Sequence, residues 1–156
     1  MARLLKLMFL ALILALSDSG PALARSTGFV VHFPHNSSHL DSEALAILEC
    51  AAEAMGEFKI TIHAGADRSG AIDYNLELSQ RRGLAVKAAL VRLGLRPEHV
   101  EVQSFGEARP LVETPDGVQE RRNRYAFLRV MGRVGPNERQ NVTASRCPPG
   151  EPDPFD

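Results

Sequence analysis

The chain lacks long apolar runs. Its one sustained hydrophobic stretch, "LMFLALILAL", has ten residues, about half of the roughly 20 that a helix needs to cross a bilayer. No later stretch comes closer, so no transmembrane segment is expected once the leader is removed. A strong charge of either sign is also missing, because 18 Lys and Arg face 19 Asp and Glu. A nucleic-acid surface would be basic and clustered, and that partner is excluded. Cysteine is scarce, with Cys50 and Cys147 alone. No internal repeat is present. Nor is a catalytic set: no nucleophile has an activating base beside it, and no carboxylate pair marks a cleft. The chain reads as a binder, not an enzyme.

What is there begins with a leader. "MARLLK" is a short basic segment, the ten apolar residues follow, and "SDSGPALA" ends in Ala22-Leu23-Ala24. Small residues at those positions fit signal-peptidase cleavage, so residues 1–24 are expected to be a signal peptide. No small-residue-then-Cys pattern stands at the cleavage site, which argues against a lipid anchor there. The remaining 132 residues, with 16 basic and 18 acidic side chains, match one ordinary domain. Export permits a disulfide between Cys50 and Cys147. The sequence fits equally well a buried thiol at Cys50 and an incidental one in the tail.

Periodicity orders the rest. "GFVVHF" (28–33) is β-branched and aromatic and reads as a strand. Ser38 with Asp41 resembles a capping box ahead of a helix over 41–55, whose Ala44, Leu45, Leu48, Ala51, Ala52 and Met55 recur at helical spacing. "FKITIHA" (58–64) alternates as a half-buried strand with one face on a core. A helix over 72–93 carries the stripe Leu78, Ala85, Val86, Ala89, Leu90 and Leu93, closed by Gly94. "HVEVQSF" (99–105) and "RYAFLRVM" (124–131) read as two more strands, with "TPDG" a turn between them. The expectation is an α/β (α+β) sandwich, β-α-β-α-β-β, with two helices packed on one face of a four-stranded mixed sheet. Residues 132–156 are Pro- and Gly-rich without an apolar period and are expected to be a flexible tail.

Two charges stand out. Positions 78, 82, 86 and 90 step by four, so Arg82 lies on the apolar side of the second helix between Leu78 and Val86. A guanidinium does not lose its proton in practice, so burying it unpaired is costly. Asp67 sits in the turn entering that helix, where the dipole favours a carboxylate. The two could pair with each other, or cap the turn. Alternatively they face a shallow pocket suited to a zwitterion, Asp67 taking an ammonium and Arg82 forking a carboxylate. Asn75 on the first helical turn would add an amide hydrogen bond.

The stretch "IHAGADRSGAIDYNLELSQRRGLAV" (62–86) resembles the signature of the OmpA-like C-terminal domain family, shared by Pal-type lipoproteins and MotB-type stator proteins. Asp67, Gly70, Tyr74, Asn75, Leu78, Ser79, Arg82 and Val86 fall in register, eight positions within 20 residues. Gly106, Glu107 and Pro110 in "FGEARP" follow, then Asn123 and Arg124 in "NRY". The likeness covers residues 28–131. It implies non-covalent binding of peptidoglycan, with Asp67 and Arg82 holding the diaminopimelate residue of the stem peptide and Asn75 and Arg124 contributing. No cofactor and no metal are implied. The implied site of action is the periplasm, with the outer membrane reached only through an envelope protein partner.

Some positions depart from the family pattern. Its G-H-T-D is Ala64-Gly65-Ala66-Asp67 here, and its second terminal Arg is Tyr125. Its Arg three residues before the Asn is Glu120, with Arg121 able to shift into the role. Gly83 replaces Ala, which weakens a helix by up to about 1 kcal/mol. Each change is expected to remove a donor or some order near the pocket. The alternative function is therefore a protein-interaction module that keeps the fold with weakened or lost peptidoglycan binding. His32, His35 and His39 cluster in sequence but lack a companion cysteine or carboxylate set, and read as solvated loop histidines. Arg121, Arg122 and Arg124 form either a solvated strand entrance or a positive rim for an acidic ligand.

Overall fold

The computed structural model describes residues 27–56, 58–133 and 151–155. The expected leader lies outside them, as does Cys147. In chain order the elements are β1 (Thr27–His32), α1 (Ser42–Met55), β2 (Phe58–Ala64), α2 (Ile72–Arg92), β3 (Val100–Ser104), β4 (Tyr125–Arg133) and β5 (Glu151–Pro152). Short 3-10 turns at Pro97–His99 and Arg121–Asn123 lead into β3 and β4. Among the described residues no helix is long and apolar enough to cross a membrane.

The sheet order is β3-β2-β4-β1-β5. β2 and β3 are parallel and joined through α2, while β4 runs antiparallel to both β2 and β1. The expected two-helix, four-stranded architecture is what the chain adopts, with β5 added at the β1 edge. Both helices pack on one face, burying Val31, Phe33, Leu48, Ile60, Ile62, Val86, Leu90, Ala126 and Leu128 in one core. That face takes alternate residues of each strand, as a period of two dictates.

Local chemistry explains the boundaries. The N-cap of α1 is Asp41, whose carboxylate accepts the Ala44 N–H at 2.9 Å, and not the expected Ser38 box. α2 ends where Gly94 takes φ +103°, so that Leu95 N–H can reach the Leu90 carbonyl at 3.1 Å. Leu45 and Leu93, expected on the apolar stripes, are about 40% exposed, at 39% and 40%. Gly83 has a packing reason. A Cβ there would run into Val102 of β3, so the residue expected only to weaken α2 lets it lie close on the sheet.

Two expectations about the outer face are corrected. β2 is buried on both sides, with Thr61 and His63 covered as fully as Ile60 and Ile62. The cover includes part of the segment expected to be a flexible tail. β4 extends to Arg133, and residues 151–155 return to pair antiparallel with the start of β1, Glu151 opposite Gly28 and Pro152 opposite Thr27. The physical reason is a second apolar cluster of Val30, Tyr125 and Phe127 on this face, against which Leu111 and Phe155 pack. Cys50, on α1, is disulfide-bonded.

Candidate functional site

The turn between β2 and α2, the first turns of α2 and the loop after β1 enclose a cleft of about 190 Å³. Its lining comprises His35, Asn36, Asp67, Ser69, Gly70, Tyr74, Asn75 and Leu78. Asp67 is only 4% exposed and is richly held. Its Oδ1 accepts the Ser69 hydroxyl at 2.7 Å, while Oδ2 accepts the Glu120 N–H at 3.2 Å and the Arg124 guanidinium at 2.9 Å. Burial alone would raise this carboxyl, but the Ser69, Arg124 and Glu120 hydrogen bonds and the Arg124 charge outweigh it and hold it below the ordinary value. Asp67 is a carboxylate at neutral pH.

Arg82 is placed differently from a ligand clamp open to solvent. It is fully buried, and it donates Nε–H to the Ser37 carbonyl at 2.9 Å, Nη1–H to Gly65 at 3.0 Å and Nη2–H to Pro34 at 3.3 Å. Its guanidinium carbon lies 5.2 Å from the Phe33 ring centroid. Two of a guanidinium's five N–H donors thus fasten the loop that carries His35 and Asn36 along the cleft, and a third holds Gly65 in the turn after β2. Burial pushes its pKa down to about 10, opposed by the nearby Asp67 charge, so it stays cationic at neutral pH. The structure does not join Asp67 and Arg82 in an ion pair. The carboxylate takes Arg124 instead, and Arg124 also donates to the Phe33 carbonyl at 3.0 Å.

Asn75 lies at the cleft with 2% exposure. Its Nδ2 donates to Glu107 at 2.5 Å, which leaves the amide oxygen, beside Gly70, as its unused acceptor. The Tyr74 hydroxyl donates to Asn36 Oδ1, tying the first turn of α2 to the loop after β1. Asn36 has φ +50°, a conformation that Asn tolerates better than most residues. Sequence reasoning missed His35, Asn36, Ser69 and Glu107 as site residues. The legible signal was the polar break "PHNSSH", which reads as a loop without saying which helix it meets.

The departures separate into two places. A Cβ on Gly65 would run into the Tyr125 ring, and Tyr125 is wholly buried in the outer cluster, its hydroxyl donating to the Arg109 carbonyl at 2.8 Å. Gly65 and Tyr125 therefore belong together on the face away from the cleft, and the Tyr125 change removes no donor from the cleft. Glu120 gives Asp67 its backbone N–H while its side chain holds Arg122. Arg121 lies 3.7 Å from Glu43 of α1 instead of replacing the missing arginine. The three loop histidines disperse: His32 lines a small pocket with Asp41, Glu43 and Arg121, His35 lines the main cleft, and the His39 N–H meets Ser37 Oγ at 3.0 Å. Among the described residues no group of His, Cys, Asp or Glu side chains could hold a metal ion.

An α/β domain with a carboxylate-floored, cation-backed cleft at a strand-to-helix junction is thus defined. The OmpA family model matches residues 32–124, and the chain belongs to the OmpA family. It is 32% identical over 118 residues to the peptidoglycan-associated lipoprotein of Pseudomonas aeruginosa, covering 74% of this chain and 68% of that one. The Pseudomonas putida protein of the same name is 34% identical over 101 residues. The chain spans 60% of that relative's length and the match takes in 63% of its own. Among solved structures, the peptidoglycan-associated lipoprotein from Burkholderia pseudomallei superposes with a TM-score of 0.61 at 29% identity, covering 66% of this chain and 90% of that one. The periplasmic domain of Helicobacter pylori MotB shares the fold at TM-score 0.54 and 16% identity, covering 68% and 77%.

Proposed function

We propose that the cleft binds peptidoglycan by holding the free amine and carboxylate of a diaminopimelate stem-peptide residue, without catalysis. The observation that carries this reading is a carboxylate kept ionised at the cleft wall, backed by the buried Arg82 and the partly buried Arg124. Asp67, with the Asn75 amide oxygen, would take the ammonium. The carboxylate would be drawn to Arg82 and Arg124. Arg82's weakest existing bond is the 3.3 Å one to Pro34. A charged acceptor makes a stronger hydrogen bond than a neutral carbonyl, so ligand binding would displace Pro34 and shift the loop bearing His35 and Asn36. Residues 28–131 would be the binding unit. The chain is an envelope protein of the periplasm, associated with the outer membrane, as its peptidoglycan-associated and outer-membrane relatives are.

The test is co-sedimentation with purified sacculi of the diaminopimelate type and of the lysine type, which lacks the second carboxylate. Wild-type protein should pellet with the first and at least tenfold less with the second. Asp67→Asn and Arg82→Lys should each abolish pelleting while the circular dichroism spectrum stays native. Release of soluble muropeptides during incubation would instead make the chain a hydrolase. Wild type left in the supernatant would favour the second reading, an interaction module without wall binding. That reading began from Gly65, Ala66 and Tyr125; with Gly65 and Tyr125 packed on the outer face, it loses two of its three supports.

A further inference from the structure

The outer face of the sheet is built like a peptide-docking groove. Antiparallel sheets commonly leave one face to water, yet here Val30, Tyr125, Phe127, Thr61 and His63 are all buried. What covers them includes five residues, 151–155, that are remote in sequence from the strands they lie on. The segment uses two separate devices. Its backbone extends the sheet at the β1 edge. Its alternate side chains, Asp153 and Phe155, turn inward while Pro152 and Pro154 stay exposed. Asp153 meets Arg129 of β4 at 2.9 Å. Phe155 enters a ring cage, with centroids 5.6 Å from His63, 6.0 Å from Tyr125 and 6.2 Å from Phe127, and the Arg109 guanidinium 5.2 Å from its centroid. Main-chain pairing with a pocket for every second side chain is how sheets recognise extended peptides.

The segment also carries features of a stiff ligand. The two prolines restrict the free chain, so less entropy is lost on docking. The Phe155 N–H closes back on Asp153 Oδ1 at 2.8 Å, which presets the spacing between acid and ring. The floor is fixed by the domain itself, through the Tyr125 bond to Arg109 and the edge contact of His63 with Phe105 at 5.3 Å. From this convergence we infer that the outer face is a docking groove for an extended acidic–aromatic segment, Asp and Phe two residues apart. Residues 151–155 are its tethered occupant. A partner protein carrying the same pattern would compete for Arg129, Arg109 and the ring cage. The groove is separate from the cleft and does not depend on wall binding.

The test uses the full chain and a fluorescein-labelled peptide of residues 151–155. Asp153→Ala with Phe155→Ala disables the resident segment, and this protein should bind the peptide at least tenfold more tightly than wild type, whose groove is filled by a tethered competitor. Adding Arg129→Glu should remove that binding, as should replacing Phe by Ala in the peptide. No binding to the disabled chain, or equal binding with and without Arg129, overturns the inference. If the disabled chain does not fold, wild type carrying 4-fluorophenylalanine at 155 is titrated with unlabelled peptide. A fluorine resonance moving to its solvent-exposed position supports the groove, and an unchanged resonance at millimolar peptide overturns it.

Discussion

The two faces of the sheet are covered by different means. The inner face is sealed by α1 and α2, which lie next to their strands in sequence and bury one mainly aliphatic core. The outer face is covered by a loop near Leu111 and five residues that return after β4. Its contents differ too: aromatic rings, a buried histidine, two arginines and an aspartate. Aliphatic burial is non-directional and forgiving, whereas rings and ion pairs demand defined partners. The inner face is therefore a folding core and the outer face a recognition surface. The cleft sits where the inner layer ends, with Arg124 bonded to its Asp67 while neighbouring Tyr125 packs in the cluster on the other face.

The largest test of this contrast is Leu48→Ala in the inner core. Leu48 is fully buried, and the substitution should cost about 2–5 kcal/mol in urea unfolding. Phe155→Ala, a partly exposed ring packed against the outer cluster, should cost clearly less; an equal loss would mean that the outer cover is core. Next, Gly65→Ala should lose about 1–3 kcal/mol through overpacking against Tyr125. In a Tyr125→Val background most of that loss should vanish, a non-additivity read from a double-mutant cycle. Additive losses would break the pairing of these two departures.

Acid should act on both regions, in separate windows. Burial, with Arg109 and Arg129 adding to it, lowers the His63 pKa from 6.5. The unfolded chain then takes up the proton first, so stability present above pH 6.5 declines as the pH falls through that value. Asp67 is lowered from 3.8, and its contribution, present above that value, is lost as the pH falls below it. Thermal melting from pH 8 to 5 should therefore show a slope that His63→Gln removes and Asp67→Asn leaves in place. The smallest effect belongs to neither face. Glu77 lies 3.6 Å from Arg81 on the solvent side of α2, and Glu77→Ala should change stability by only about 0.2–0.5 kcal/mol. A larger loss would give this helix surface a role the comparison does not assign.

Helical and strand periodicities, read alone, determined the two helices, the four main strands and the inner core. Those patterns record which side of each element faces apolar neighbours, wherever in the chain the neighbours lie. The same reading placed Arg82 on the apolar side of α2, because the i, i+4 step puts it between Leu78 and Val86; its full burial is a tertiary result. Asp67 and Asn75 stood out by their place at the entry to α2, and Arg124 only through the family resemblance. Tertiary structure alone decided which cation meets which anion. Asp67 takes Arg124, 57 positions away, and Arg82 takes three carbonyls, because hydrogen-bond partners across loops depend on chain paths that no local period encodes. It also decided that residues 151–155 cover the outer face. An isolated "EPDPF" buries nothing by itself; its affinity exists only once β1, β2 and β4 have brought Arg129, His63 and Phe127 onto one surface.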